Sequence, residues 1–264
     1  MPTLVKKYPA WLKKESISIF SFLCLFLAMA RETGEKQEKT VTIFTIGDST
    51  MADKPTEGGN PERGWCQLLP EFVRGTVRVE NHAVNGRSSR SFIAEGRWKV
   101  VLSQLSEGDY VFIQFGHNDQ KVKDSSRYTN PYTGYRQNLE RYVKETRKKG
   151  AIPILFTSVV RRNFNSYGTL VDTHGDYPLV VRMVAEAMKV PLVDLQRLTE
   201  NLEMAYGPER SKKLHLWYAP GEIPFYQEGK EDNTHYSVKG AREVAGLAVK
   251  ELKKTVSGIG SYLK

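Results

Sequence analysis

The chain has 264 residues, 40% of them hydrophobic and 26% charged. That balance excludes a disordered or collagen-like chain and suffices for one α/β domain with a full core, or two small ones. A formal charge of +9 favours an acidic partner by steering and fixes nothing about fold; nucleic acid, anionic lipid and acidic polysaccharide all carry the complementary sign.

The first thirty residues read as a secretory signal. Lys6, Lys7, Lys13 and Lys14 precede an apolar run over 17–30 that ends Ala28-Met29-Ala30. A basic start, a short apolar stretch and small residues before a cleavage point define such a segment, here cleaved after Ala30. The run is shorter than the roughly 20 residues a spanning helix needs; an uncleaved N-terminal membrane anchor is the alternative. A lipoprotein signal fits poorly, because Ser21-Phe22-Leu23 puts bulky residues before Cys24. The signal favours acidic polysaccharide over the other two partners and a secreted or periplasmic location. Cleavage leaves one cysteine, Cys66, which cannot form an internal disulfide and is expected to pack as a small hydrophobe.

Residues 31–40 are polar and read as a tether. From 41 onward, short apolar runs alternate with segments of helical periodicity. Strands are expected at 41–46, 77–84, 109–115, 151–159 and 191–195, each nearly continuously apolar, as strands covered on both faces are. Helices are expected near 64–74, 89–105, 134–149, 178–189, 196–205 and 238–254. In the last, Val238, Ala241, Ala245, Ala248 and Leu252 recur every three or four residues and make one apolar face. This alternation predicts βαβ units in a three-layer α/β/α sandwich, a single domain over 41–264. Two stretches, 160–177 and 206–234, carry no clear element. Loops of that length are often functional. The second holds Trp217, Tyr218, Phe225 and Tyr226, which could staple the loop to the core or form a flat platform for a sugar ring.

Three of the expected strands run out into polar groups: Gly47-Asp48-Ser49, Asn85-Gly86 and Gly116-His117-Asn118. In an open parallel sheet, ligands bind outside the carboxyl ends of the strands. A serine after a strand is ordinarily a turn residue or helix cap. Here a glycine that permits close backbone approach and an asparagine amide converge on the same edge, the parts of an acyl-transfer site. His235 can serve as the base, since imidazole titrates near neutrality, and Asp232 can hold its tautomer. The order Ser…Asp…His occurs in known hydrolases, although the Gly-x-Ser-x-Gly elbow is absent.

The blocks Gly47-Asp48-Ser49-Thr50, Asn81-x-Ala-Val-Asn-Gly86-Arg87-Ser88, Gly116-His117-Asn118-Asp119 and Asp232-Asn-Thr-His235 resemble, in order and spacing, those of the SGNH (GDSL) hydrolases, and within them the rhamnogalacturonan acetylesterases. The likeness spans about 41–255. It implies a flavodoxin-like five-stranded parallel sheet and no metal or organic cofactor. It assigns Ser49 as nucleophile, His235 as base and Asp232 as its partner, with the Ser49 amide, the Gly86 amide and the Asn118 side chain as oxyanion hole. It also implies an ester hydrolase that removes acetyl groups from pectic polysaccharide through an acetyl-enzyme. Other acetylated carbohydrates such as xylan, small acyl esters, or carbohydrate binding without chemistry are the alternatives.

The remaining polar residues read as support. His82, His117, Asp119 and His235 lack metal-ligand spacing. His117 and Asp119 would position the loop around Asn118, and Asp48 would accept hydrogen bonds behind Ser49. His174 and His215 are expected on surface loops. Arg87, Arg90, Arg161 and Arg162 are expected in solvent or along the rim of the crevice, where guanidinium groups would suit uronate carboxylates; Arg87, Trp217 and Tyr218 are the candidate substrate contacts. No nucleic-acid-binding signature accompanies the basic charge.

Overall fold

β1 (Val41–Gly47) lies at the heart of a five-stranded parallel sheet, with β3 (Val77–Asn81) on one side and β4 (Tyr110–Gln114), β5 (Ile152–Phe156) and β6 (Leu192–Val193) in turn on the other. The computed structural model describes residues 2–3 and 40–264. The expected signal at 1–30 and tether at 31–40 lie outside the described residues, apart from Pro2, Thr3 and Thr40. Among the described residues no helix is long and apolar enough to cross a membrane.

The strands' continuous apolarity has its cause in two cores, one on each face. Side chains alternate between faces with period two. Ile43, Phe112, Ile154 and Phe156 enter one core, while Phe44, Val111, Ile113 and Leu155 enter the other. The first core is closed by a 3-10 segment, Trp65–Phe72, and by the C-terminal helix Val238–Thr255, whose Ala241, Ala245, Ala248 and Leu252 form the expected stripe, with Val238 partly buried at its start and Val244 joining it. The second is closed by α1 (Ser89–Ala94), α2 (Arg97–Gln104), α3 (Arg136–Lys148) and α4 (Tyr177–Met188). After α5 (Leu195–Arg210) the C-terminal helix is α6. The layers are α/β/α.

Several boundaries differ from expectation for local reasons. The helix expected over 89–105 breaks in two because Gly96 adopts a left-handed φ of 73°, a conformation that ends helices and favours glycine. The expected helix at 64–74 winds as a 3-10 helix around Pro70, which has no amide to donate. The expected strand 77–84 ends its regular pairing at Asn81, yet His82 and Val84 still donate backbone hydrogen bonds to Thr45 and Gly47 (2.9 and 3.1 Å). Those bonds carry the chain to Gly86 along the end of β1. The largest departure is in 206–234. β2 (Glu62–Arg63), β7 (His215–Tyr218) and β8 (Lys230–Ser237) form a small antiparallel sheet in the order β2-β8-β7. Asp232 and His235 sit on β8, not on a free loop.

Candidate active site

Ser49 follows β1 in a turn that is fixed from behind. Asp48 is buried, and its Oδ1 accepts the Thr50 amide (2.9 Å) and the Thr50 hydroxyl (2.8 Å). Thr50 Oγ1 accepts in turn from Gln114 Nε2 (2.7 Å), and Gln114 Oε1 accepts from Trp65 Nε1 (3.0 Å). Gly47 is required here by close approach. A Cβ there would meet Met51 Sδ at 2.2 Å and the Gln114 carbonyl at 2.7 Å. The expected role of Asp48, acceptor behind Ser49, is what the geometry contains.

Ser49 Oγ lies 2.9 Å from His235 Nε2, and His235 Nδ1 lies 2.8 Å from Asp232 Oδ2. The other oxygen of Asp232 accepts the amides of Thr234 (2.8 Å) and His235 (2.9 Å). Burial works to raise the Asp232 carboxyl, but the imidazole and the two amides hold it well below the usual carboxylate range. An ionised Asp232 accepts, so Nδ1 carries the hydrogen and Nε2 presents its lone pair to Ser49. This is the arrangement in which a hydroxyl can lose its proton during attack.

Three donors stand unused on the same sheet edge. The amides of Ser49 and Gly86 have no partner among the described residues. Asn118 Nδ2 gives one hydrogen to the Arg87 carbonyl (3.1 Å) and keeps the other. That bond ties the loop after β4 to the loop after β3. Gly86 has φ 75°, a left-handed turn that a side chain would strain. Its loop is braced through Asn85 Oδ1, which accepts from the buried Lys54 ammonium (2.6 Å); Lys54 also pairs with Glu62 of β2 (2.7 Å).

Asn118 sits between two buried groups that fix its loop. Asp119 accepts from the Ser89 amide (3.1 and 3.0 Å) and from the Thr129 hydroxyl (2.8 Å). Burial nevertheless raises its carboxyl to about 6. His117 lies 3.2 Å from Asp48 Oδ2, out of line for a hydrogen bond, and edge-on to His174 with ring centres 4.5 Å apart. Burial lowers His117 to about 4, while Asp48, raised by burial but drawn down by His117 and Thr50, falls to about 2. At neutral pH the pair is therefore a carboxylate facing a neutral imidazole. Burial likewise pushes the Cys66 thiol up, in keeping with its reading as a packed hydrophobe.

Several expectations need correction. His174 and His215 are not surface residues: each is about 1% exposed. His215 contacts Glu203 Oε1 through Nε2 (2.7 Å) and the His235 carbonyl through Nδ1 (3.1 Å). It thus touches the backbone of His235 itself. Arg162 is also buried, and braces β8: its amide donates to the Asn233 carbonyl (2.8 Å) and its Nη1 to Asn233 Oδ1 (3.0 Å). Arg161 donates to Thr173 Oγ1 (2.9 Å), and Arg90 is exposed. Arg87 lines an open cavity beside Gly86. Trp217 donates from Nε1 to Asn233 Oδ1 (2.8 Å) and has Arg162 and Lys212 over its ring, while Tyr218 packs against Tyr226. Both line a separate cavity with Lys213 and Lys239. Trp217 is therefore engaged in holding the segment between Asp232 and His235. Gln114, Lys54 and Glu203 were missed; a buried polar residue closing the apolar run of β4 was the one available sign. Among the described residues no three His, Cys, Asp or Glu side chains stand close enough to hold a metal ion.

The parallel sheet, with a hydroxyl, imidazole and carboxylate in line at its carboxyl edge, defines a carboxylic ester hydrolase. Residues 45–242 match the GDSL-like Lipase/Acylhydrolase family, and the chain belongs to that family. It is 42% identical over 217 residues to the rhamnogalacturonan acetylesterase RhgT of Bacillus subtilis, covering 82% of this chain and 91% of that protein. It is 34% identical to the probable rhamnogalacturonan acetylesterase YesY of the same organism, covering 80% and 92%. Among solved structures, Bacillus subtilis YxiM superposes with a TM-score of 0.68 at 30% identity, over 81% of this chain and 56% of that one.

Proposed function

We propose that this protein is a secreted serine acetylesterase that removes acetyl groups from rhamnogalacturonan, an acidic pectic polysaccharide, through an acetyl-enzyme on Ser49. The observation that carries the reading is the 2.9 Å contact between Ser49 Oγ and His235 Nε2, with three free donors on the same edge. Ser49 Oγ attacks the acetyl carbonyl as its proton passes to His235 Nε2. The carbonyl oxygen gains charge and takes hydrogen bonds from the Ser49 and Gly86 amides and from Asn118 Nδ2. Such donors are aimed in advance at charge that develops only in the transition state. The imidazolium then protonates the departing sugar oxygen, and Asp232 stabilises its charge. Water, deprotonated by the same Nε2, attacks the acetyl-enzyme and releases acetate. Substrate choice rests on the acetylesterase names of the two relatives and on the basic balance of the chain.

Acetate release from acetylated rhamnogalacturonan, acetylated xylan and a neutral chromogenic acetate tests the reading. The expected order places rhamnogalacturonan first, with release abolished in Ser49→Ala while thermal stability is retained. Preference for xylan acetates would contradict the substrate. Near-normal turnover by Ser49→Ala would contradict the nucleophile.

A further inference from the structure

Beside the Gly86 amide opens a cavity of about 390 Å³ lined by Gly86, Arg87, Glu95, Asp124, Ser126 and Arg127 among others. The mechanism above uses only Gly86 of this set. Arg127 reaches the oxyanion side: its Nη1 lies 3.6 Å from the point where a Gly86 Cβ would stand.

Both carboxylates of the cavity are already committed. Asp124 accepts from the Ser126 amide (3.1 Å), the Ser126 hydroxyl (2.6 Å) and Arg127 Nε. Glu95 accepts from the Nε groups of both Arg87 and Arg97. Asp124 thus acts as a bracket. It holds the Arg127 guanidinium by its Nε edge and leaves both Nη groups without a hydrogen-bond partner among the described residues. Arg87 is held likewise by Glu95, with Nη1 on the Asn85 carbonyl (2.9 Å). Arg87 and Arg127 match the two carboxylates in number, so what the cavity offers a ligand is the unpartnered Nη edge of Arg127. The Arg127 side chain is about a third exposed, open to a ligand yet oriented in advance. A planar fork with a free edge matches a carboxylate by two parallel hydrogen bonds.

We infer that this cavity is a uronate subsite: Arg127, with Arg87 beside it, receives the carboxylate of an acidic sugar residue and sets the acetylated sugar over Gly86. The inference rests on the acetylesterase reading and goes further, because it assigns recognition of the polymer's acid groups to the loop at 124–127. It also moves recognition away from Trp217 and Tyr218, which line a different cavity. Binding energy gained at this distance from the reacting carbonyl helps orient it for attack.

The test compares acetylated rhamnogalacturonan oligosaccharides with the same material after reduction of its carboxyl groups to alcohols. For the wild-type protein, kcat/KM on the acidic form should exceed that on the reduced form by about 10–100-fold, the range of a charge-assisted hydrogen bond. Added salt should narrow the ratio. In Arg127→Gln the ratio should collapse toward unity, and in Arg87→Gln it should fall partway. Thermal unfolding of each variant checks folding; because the readout is a ratio within one protein, a reduced active fraction cancels. Equal wild-type rates on both forms, or a full ratio kept by Arg127→Gln, would overturn the subsite and leave the acetylesterase reading standing. No acetate from either form, with the chromogenic acetate still cleaved, would overturn the rhamnogalacturonan reading and the subsite with it.

Discussion

Asp232→Asn isolates the proton logic of the site from its architecture. Asp232 uses one oxygen for the amides of Thr234 and His235 and the other for His235 Nδ1. An asparagine can reproduce only the first. Its single carbonyl oxygen must face the two amides, since turning the NH2 toward them would set it against two N–H donors. The NH2 then points at Nδ1 and forces that nitrogen to accept. The imidazole hydrogen moves to Nε2, which no longer has a lone pair for the Ser49 hydroxyl. The expected loss in kcat is about 10⁴-fold, the scale of a wrong-tautomer base, or about 5 kcal/mol of barrier. Because the loop keeps both amide bonds, the unfolding midpoint in urea at neutral pH should move much less than the rate. The assay is initial acetate release at saturating substrate, with urea unfolding in parallel. More than a tenth of wild-type kcat in a folded Asp232→Asn protein would refute the tautomer argument.

Two further outcomes bear on the groups beneath the site. Glu203 and His215 are both buried and 2.7 Å apart; Glu203→Ala leaves a buried imidazole nitrogen without its partner and should cost about 1–3 kcal/mol, while Glu203→Gln, which keeps a hydrogen-bonding partner, should cost clearly less in urea unfolding. Equal losses would show that the contact contributes little. Acid sensitivity is the second outcome. His117 sits near 4 in the folded protein against about 6.5 when unfolded, so the unfolded chain binds the extra proton in between. Its contribution is complete above about pH 6.5 and is lost as pH falls toward 4, by at most about 1.4 kcal/mol per pH unit. Asp119, raised to about 6, works in the opposite sense, contributing stability below its unfolded value and losing it as pH rises through 6. Going from pH 7 to 4.5, His117→Asn should therefore lose less stability than the wild type, and Asp119→Asn should lose more. Parallel pH profiles for all three proteins would contradict these assignments.

The central sheet was legible because a strand covered on both faces is apolar along most of its length, and β1, β4 and β5 are, Thr42, Thr45 and Gln114 aside. The four motif blocks carried the residues of the site because their chemistry is concentrated at strand ends. The antiparallel sheet was not legible. β8 reads Lys-Glu-Asp-Asn-Thr-His-Tyr-Ser, without apolar alternation, and β2 has two residues; both form because β7 and the loop after β1 lie alongside. The burial of His215 depends on Glu203, twelve positions earlier on α5, and that of Arg162 depends on Asn233. Such partnerships exist only after folding, so a histidine or arginine bound for the interior looks in sequence like one bound for solvent. Arg127 escaped notice for the same reason: its meaning comes from standing next to Gly86.

Labelling by a fluorophosphonate, followed by peptide mass spectrometry, tests the account most directly. The account predicts one adduct, on Ser49, appearing in step with loss of acetate release and strongly suppressed in His235→Ala. Full activity with Ser49 completely labelled, or inactivation with the adduct on another residue, would contradict it.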